Sequence, residues 1–463
     1  MYPWLSKTLY YGVQTFTGMK LYARLNKLEE TQWYAREDLK ELQWQKLKRL
    51  LEHAYKHISY YQKQFKKLGI RPEDIDGPED FRKFPFLTKD DIRNNLSDLK
   101  AKNIKHFVTD CTSGSTGTPL TFFKERSTSG YFLAAKYRGH RWHNFDIGDR
   151  EVKFWGLPID QKPKWREHIK DFILNRTLFV AFDISRETLR QHFKACQRIR
   201  PKYMYGYSSA LYRFARYLKE ERIDAARLNL KGIISTSEVL YDFERKLIEH
   251  VFRCRMINEY GACEAGVMAF ERPEGKMHIT VENVYVEILK EDGQPAMPGE
   301  LGEIVVTEFN NYAMPFIRYK IGDLATCVDE QEKCKCARGL PLIGEIVGRA
   351  LDTVVTPSGK LLHAHVFYYI IGSAISHGAD IKEFKIIQRD EHRLSIKVVT
   401  SQKLGEEYRN YITRQITGFM GENIKIDFEE VESIPLEKHG KFRFFPQKFQ
   451  RSERIRQSKA FYI

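Results

Sequence analysis

KGIISTSEVLYDFERKLIEHVFRCRMINEYG, residues 231–261, is the stretch that sets the fold class. KGIIST (231–236) reads as a short buried strand. SEVLYDFERKLIEHVF reads as the helix after it, and MINEYG (256–261) as the next strand. Strand, helix and strand in this order predict a β-α-β unit with parallel strands. The central region keeps alternating β-rich and helical runs, which predicts an α/β fold with a substantial parallel sheet. From about residue 284 the pattern changes to YVEIL, an Asp292-Gly293 turn and GEIVVTEF. That section predicts antiparallel strands.

Outward from this centre, residues 36–68 predict a helix, because Leu47, Leu50, Ala54, Ile58 and Tyr61 recur three or four apart. Pro72, Pro78 and Pro85 punctuate the next stretch of chain. A boundary is expected near 349. Beyond it come a hairpin (DTVVTPSGKLL), a helix, the strand pair FKIIQ and RLSIKVVT, and a second helix marked by Leu404, Tyr408, Ile412 and Ile416. The expected organisation is a large N-terminal domain, 1–348, with mainly parallel sheets and a β-rich section. A small α+β C-terminal domain, 349–463, completes the chain.

A length of 463 residues with 42% hydrophobic and 13% aromatic content fits a large globular core. No apolar run reaches transmembrane length. Seven cysteines and the absence of a signal peptide predict a reducing cytoplasm. MYPWLSKTLYYGVQTFTGMKLYARL, at the N terminus, is aromatic, basic and free of acids. It has two readings: a helix packed on its own domain, or a segment at the inner face of a membrane. The net charge of +15 points to anionic partners. Residues 441–463 carry seven Lys/Arg against Glu453 alone. No RNA- or DNA-binding motif accompanies that charge, so nucleic acid is not the expected partner.

Five separated segments hold groups suited to a nucleotide. Thr112-Ser113-Gly114-Ser115-Thr116-Gly117 combines hydroxyls with glycines that let backbone N–H groups approach phosphate. It is not a Walker A loop, because it has no Gly-Lys-Ser/Thr ending. Thr236-Ser237-Glu238 and Asn258-Glu259-Tyr260-Gly261-Ala262-Cys263-Glu264 lie at predicted strand ends, where open α/β sheets bind ligands. Arg318 to Asp323 and Gly348-Arg349 complete the set. An aromatic ring can stack on adenine, an Asp can accept ribose hydroxyls and a Glu can hold Mg²⁺ on phosphates.

With LLEHAYKHISYYQKQF, PEDFRKFPFLTKDDIR, TSGSTGTP, YGACE, PFIRYKIGD, GRALD and EKHGKFRF in this order, the chain resembles the adenylate-forming (acyl-CoA synthetase-like) superfamily, phenylacetate–CoA ligase/CapK type. The resemblance spans nearly the whole chain. It implies ATP-dependent activation of a small-molecule carboxylate as an acyl-adenylate, then acyl transfer to coenzyme A. The CapK branch leaves an amine or sugar acceptor open, in surface-polysaccharide biosynthesis. A noncatalytic nucleotide- or polyanion-binding protein is the rival from another class.

Residue by residue, the resemblance implies that Thr112 to Gly117 bind phosphate. It places Tyr260 on adenine with Glu238 beside it, Asp323 on the ribose, and Gly261 and Arg349 near the nucleotide. Glu264 would hold Mg²⁺. Leu351 and Asp352 would be the hinge of a mobile C-terminal domain, with Lys441 its catalytic lysine. Cys263 stands where the superfamily commonly has Thr. Tyr203, Tyr205, Tyr207 and Ser208 are candidates for the acyl pocket. Some members of the family hold a structural zinc. Here its ligands would be His278, Cys334 and Cys336, with Arg272 where a further Cys would fall. Cys254, Cys263 or Cys327 could complete four ligands, and two metal-free loop cysteines are the alternative.

Overall fold

A computed structural model of the chain describes residues 1–112, 119–156, 165–181, 185–332, 334–349, 353–358, 361–363, 365–421 and 423–434. Ser113 to Gly117, Leu351, Asp352 and Lys441 lie outside the described residues.

The β-α-β reading holds. Gly232–Thr236 and Met256–Ala262 are parallel neighbours, joined by the helix Asp242–Phe252. Parallel pairing continues outward through Tyr203–Gly206, Glu151–Trp155 and Arg176–Val180. On the other side the sheet turns antiparallel through Gly266–Glu271, Met277–Ile279 and Leu342–Ile343. Helices pack on the parallel part, whose strands are largely buried and carry Glu151 and Glu259 in the interior beside the apolar side chains. Gly232–Thr236 is buried along its whole length.

The expected antiparallel section is a second sheet in the order Val284–Leu289, Leu301–Glu308, Tyr319–Thr326 and Ile346–Arg349. Arg318 ties the segment before Lys89 to it. Its guanidinium grips Glu287 through two bonds of 3.0 Å and donates to the Arg82 and Phe84 carbonyls. A buried, bidentate pair of this kind fixes geometry more than it adds stability.

Two expected boundaries move. Residues 36–68 form two helices, Arg36–His57 and Ser59–Leu68. Ile58 between them is extended and fully buried, and Tyr60 N–H donates to the Asp98 carbonyl instead of to a helical turn. The helix expected from Ser237 begins at Asp242. Ser237 sits at φ +69, and the Glu238 carboxylate accepts from Ser209 N–H (3.0 Å), at the start of the helix Ser208–Glu220. A carboxylate there satisfies an orphan donor of that helix.

Near the C terminus, Glu383–Asp390 pairs antiparallel with Arg393–Val399, which pairs parallel with Lys425–Glu430. The helices His365–Ser376 and Glu406–Met420 pack on this sheet through one apolar cluster. The same cluster includes Phe154, Phe214 and Phe243 of the large unit. The contact is completed by Arg213–Glu383 at 3.2 Å and by the stacked rings of Tyr241 and Tyr368, 4.3 Å between centroids.

The N-terminal helix Pro3–Phe16 packs on its own unit through Ser6, Tyr10 and Gln14. Lys7 reaches Asp146 at 2.6 Å. Among the described residues, no helix is long and apolar enough to cross a membrane.

Candidate active site

Two cavities are prominent. The larger, about 830 Å³, lies along the helix Arg36–His57 and is lined by apolar side chains such as Leu39, Trp44 and Ile288 together with charged ones such as Arg36, Glu41 and Arg82. The smaller, about 300 Å³, gathers the charged groups that the sequence singled out. A concave site with convergent polar groups is the better candidate for chemistry.

The smaller cavity is lined by Thr112, Gly261, Glu264, Asp323 and Arg349, from four separate segments. The strand Tyr319–Thr326 carries Asp323, and its register partner across the sheet is Arg349. Asp323 Oδ1 lies 3.3 Å from Arg349 Nε, and Asp323 Oδ2 accepts the Tyr260 hydroxyl at 2.9 Å. Glu264 is buried, and its Oε1 accepts the Tyr319 hydroxyl at 3.0 Å. Thr112 closes the base of the Ser/Gly/Thr run. It receives Leu120 N–H on its hydroxyl and donates its own N–H to the Leu120 carbonyl, both at 3.0 Å.

The pairing of Arg349 with Asp323 raises the arginine's pKa, and burial opposes it. Burial also drives the Tyr260 hydroxyl pKa well up, reinforced by the Asp323 carboxylate it bonds. That phenol therefore stays a proton donor to Asp323.

Tyr260 and Glu238 are not among the cavity's lining residues. The Tyr260 hydroxyl is held by Asp323 and the Glu238 carboxylate by the helix start at Ser209. Of the tyrosine run, Tyr205 lines the cavity, whereas Tyr203 is fully buried against Glu151 and Phe145.

Lys89 and Arg93 also line the cavity, and sequence reasoning did not assign them to it. The available signal was Thr88-x-x-Asp91, an N-cap. Asp91 N–H donates to Thr88 Oγ1 at 3.1 Å and Thr88 N–H to Asp91 Oδ2 at 2.8 Å. Leu87 then bonds to both sides of Tyr319, with its N–H on the Arg318 carbonyl and its own carbonyl receiving Lys320 N–H. This pins the helix Lys89–Asn94 beside Asp323. Burial and Arg349 lower the Lys89 pKa, while Glu264 and Asp323 raise it. At Gly322, φ is +84, and an added Cβ would lie 3.5 Å from Lys89 Nζ.

His278, Cys334 and Cys336 form a separate cluster whose ligand atoms lie within 4.8 Å of one another. His278 Nδ1 bonds the Leu340 carbonyl at 2.8 Å, which fixes the tautomer with a lone pair on Nε2. That Nε2 lies 3.3 Å from Cys336 Sγ. The donor set fits three of the four positions of a structural zinc. Among the described residues, none of Cys254, Cys263 and Cys327 joins it. Arg272 is buried, and its Nη1 finds no hydrogen-bond partner among the described residues.

Comparisons with known proteins bear on the chain and its fold. Residues 354–448 match the family model "CapK C-terminal domain". The chain is 26% identical to Protein CapK of Staphylococcus aureus over 427 residues, 88% of this chain and 89% of that protein. It is 24% identical to the phenylacetate-coenzyme A ligase of Thermus thermophilus over 458 residues, 89% of this chain and 97% of that one. Among solved structures, 2-hydroxyisobutyryl-CoA ligase in the postadenylation state superposes with a TM-score of 0.72 at 18% identity, covering 90% of each chain. The fold is thus that of acyl-CoA ligases, and over most of its length the chain is similar to CapK and to phenylacetate–coenzyme A ligases.

Proposed function

We propose that this protein joins a carboxylic acid to AMP and then passes the acyl group to an acceptor, in the first instance coenzyme A. The observation that carries this reading is the convergence of Thr112, Glu264, Asp323 and Arg349 on one cavity, in a chain similar along its length to enzymes named for such ligation. A carboxylate oxygen of the substrate attacks the α-phosphorus of ATP, and the bond to the β-phosphate oxygen breaks to release pyrophosphate. The substrate is already ionised, so this step needs no general base. Positioning and charge neutralisation carry the acceleration. Asp323 accepts from the ribose, Arg349 orients Asp323, and Lys89 and Arg93 supply positive charge beside the phosphates. Glu264 fits as a Mg²⁺ ligand, because it is a buried carboxylate on the cavity wall; the ion would neutralise phosphate charge. Lys441, from the C-terminal domain beginning near 349, adds an ammonium to the transferring group. Coenzyme A thiolate then attacks the acyl carbon, and AMP leaves. Pyrophosphate exchange with a panel of carboxylic acids tests the first step. No exchange with any acid would refute the reading.

An amine or sugar acceptor is the second reading, supported by the match of residues 354–448 to the CapK C-terminal domain. Acceptor trials on the preformed adenylate separate it from coenzyme A. Structural zinc on His278, Cys334 and Cys336 is part of the proposal. So is peripheral contact with a membrane through the N-terminal helix, where Trp4 and Phe16 are 67% and 94% exposed.

A further inference from the structure

Beyond the nucleotide-side residues, the cavity has a second set of lining side chains: Phe132, Leu133, Lys136, Trp155, Tyr205 and Val267. Phe132 and Lys136 are one turn apart on the helix Arg126–Trp142 and so share a face. Five of the six are apolar or aromatic, as expected where an acyl chain is held. The lysine is the exception.

Lys136 Nζ stands 3.6 Å from the Tyr205 ring centroid. Behind it, Lys153 Nζ stands 3.9 Å from the Trp155 centroid and 5.6 Å from that of Tyr205. Among the described residues, neither ammonium makes a hydrogen bond or an ion pair. Of the nearby carboxylates, Glu259, which also lines the cavity, takes the Tyr205 hydroxyl on Oε1 and Glu151 takes the Tyr203 hydroxyl on Oε2, both at 2.7 Å; the second oxygen of each bonds neither lysine. Burial lowers the pKa of both lysines, and Glu151 opposes it in each case. A cation held only by ring faces keeps three N–H donors free. Glu151 and Glu259 act on Lys136 only through space, and a half-buried ammonium with no directly paired anion is costly.

We infer that the acyl substrate carries a second anionic group, and that Lys136 receives it inside the cavity while the first carboxylate is adenylated. This inference rests on the adenylation reading and sharpens it from any carboxylic acid to a dianionic one. An acid with a neutral tail leaves the lysine unpaired and is discriminated against, because a site built for a charged partner rejects the analogue lacking it.

Pyrophosphate exchange decides this with three matched pairs: glutarate against valerate, adipate against hexanoate, and homophthalate against phenylacetate. The wild type should favour the diacid in at least one pair. Lys136→Met should lower that diacid-to-monoacid ratio of kcat/KM by roughly 10²-fold. Lys136→Arg, which keeps the charge, should retain the preference. Thermal melting with ATP and the preferred diacid gives a readout independent of turnover, with a ligand-induced shift in the wild type that Lys136→Met loses. Monoacids preferred in every pair, or an unchanged ratio in Lys136→Met, would overturn the inference while leaving adenylation standing. No exchange with any of the six acids would overturn the adenylation reading, and this inference with it.

Discussion

Asp323 and Arg349 occupy one register position on neighbouring antiparallel strands, and their charged groups meet 3.3 Å apart. The same carboxylate also takes the Tyr260 hydroxyl, so both of its oxygens are engaged. Asp323→Ala removes the acceptor offered to the ribose and takes away the carboxylate that Arg349 faces. ATP KM should rise roughly 10- to 10²-fold, from the loss of hydrogen bonds to a charged group. Titrating ATP in the exchange assay measures this, and an unchanged KM would take Asp323 out of the nucleotide site.

Lys441 would act only on the transferring group. Removing one preorganised donor of this kind costs about 2.7–4 kcal/mol in comparable sites. Lys441→Ala should therefore lower adenylation roughly 10²–10³-fold, while calorimetry still detects ATP binding. Full pyrophosphate release by that variant would refute the assignment.

Glu244 is 1% exposed, and burial raises its carboxyl to about 8. Unfolded, it titrates near the ordinary carboxylate value, so between about pH 5 and 8 the native state holds a proton that the unfolded chain has lost. Stability conferred by the neutral acid falls as pH rises through this window, by up to about 1.4 kcal/mol per unit. Glu308, raised to about 7 by burial, acts in the same direction. Glu244→Gln should lose less stability than the wild type between pH 5 and 8 in urea titrations. Parallel pH profiles would show that Glu244 is ionised in the native state.

Protein purified without chelator should contain one zinc per chain by elemental analysis. Cys336→Ser should lose most of it, because a structural site has few ligands to spare. Metal-free wild type that melts at the same temperature before and after zinc addition would count against the site.

The N-terminal helix Pro3–Phe16 contacts the helix Trp165–Ile173, which exposes Trp165 and Phe172 at 67% and 68%. Aromatic side chains of this type favour the lipid headgroup region. The chain should sediment with anionic vesicles, more weakly at high salt. Trp4→Ser with Phe16→Ser should reduce the bound fraction roughly tenfold or more. Equal sedimentation of the double variant would remove this face from consideration.

Much of the fold was legible because the sequence pattern is local. The strands around Ile233 and Ile257 and the helix between them emerge from apolar runs and their spacing. The break at Ile58 was not legible, since an apolar residue at helical spacing looks the same whether its neighbour's N–H serves the helix or the distant Asp98 carbonyl. The grouping of Glu264, Asp323 and Arg349 came from motif order. Lys89 and Lys136 did not, because each is one lysine in a basic chain until the strand Tyr319–Thr326 or the Tyr205 ring is beside it. The commitment of Glu238 to Ser209 likewise depends on how a loop meets the start of a distant helix.

One buried cluster runs from Phe154 and Phe214 through Phe243 to Phe367 and Ile371. The large and small units are therefore soldered by hydrocarbon rather than merely tethered by chain. Any swing of the small unit bares the face around Phe243 to water, at about 25 cal/mol for each Å² uncovered. A second resting seat has to cover a similar area, or a bound intermediate has to make up the difference. Occupancy of the cavity would then set the dwell time in each seat, and a ligand would act as the clock of the cycle.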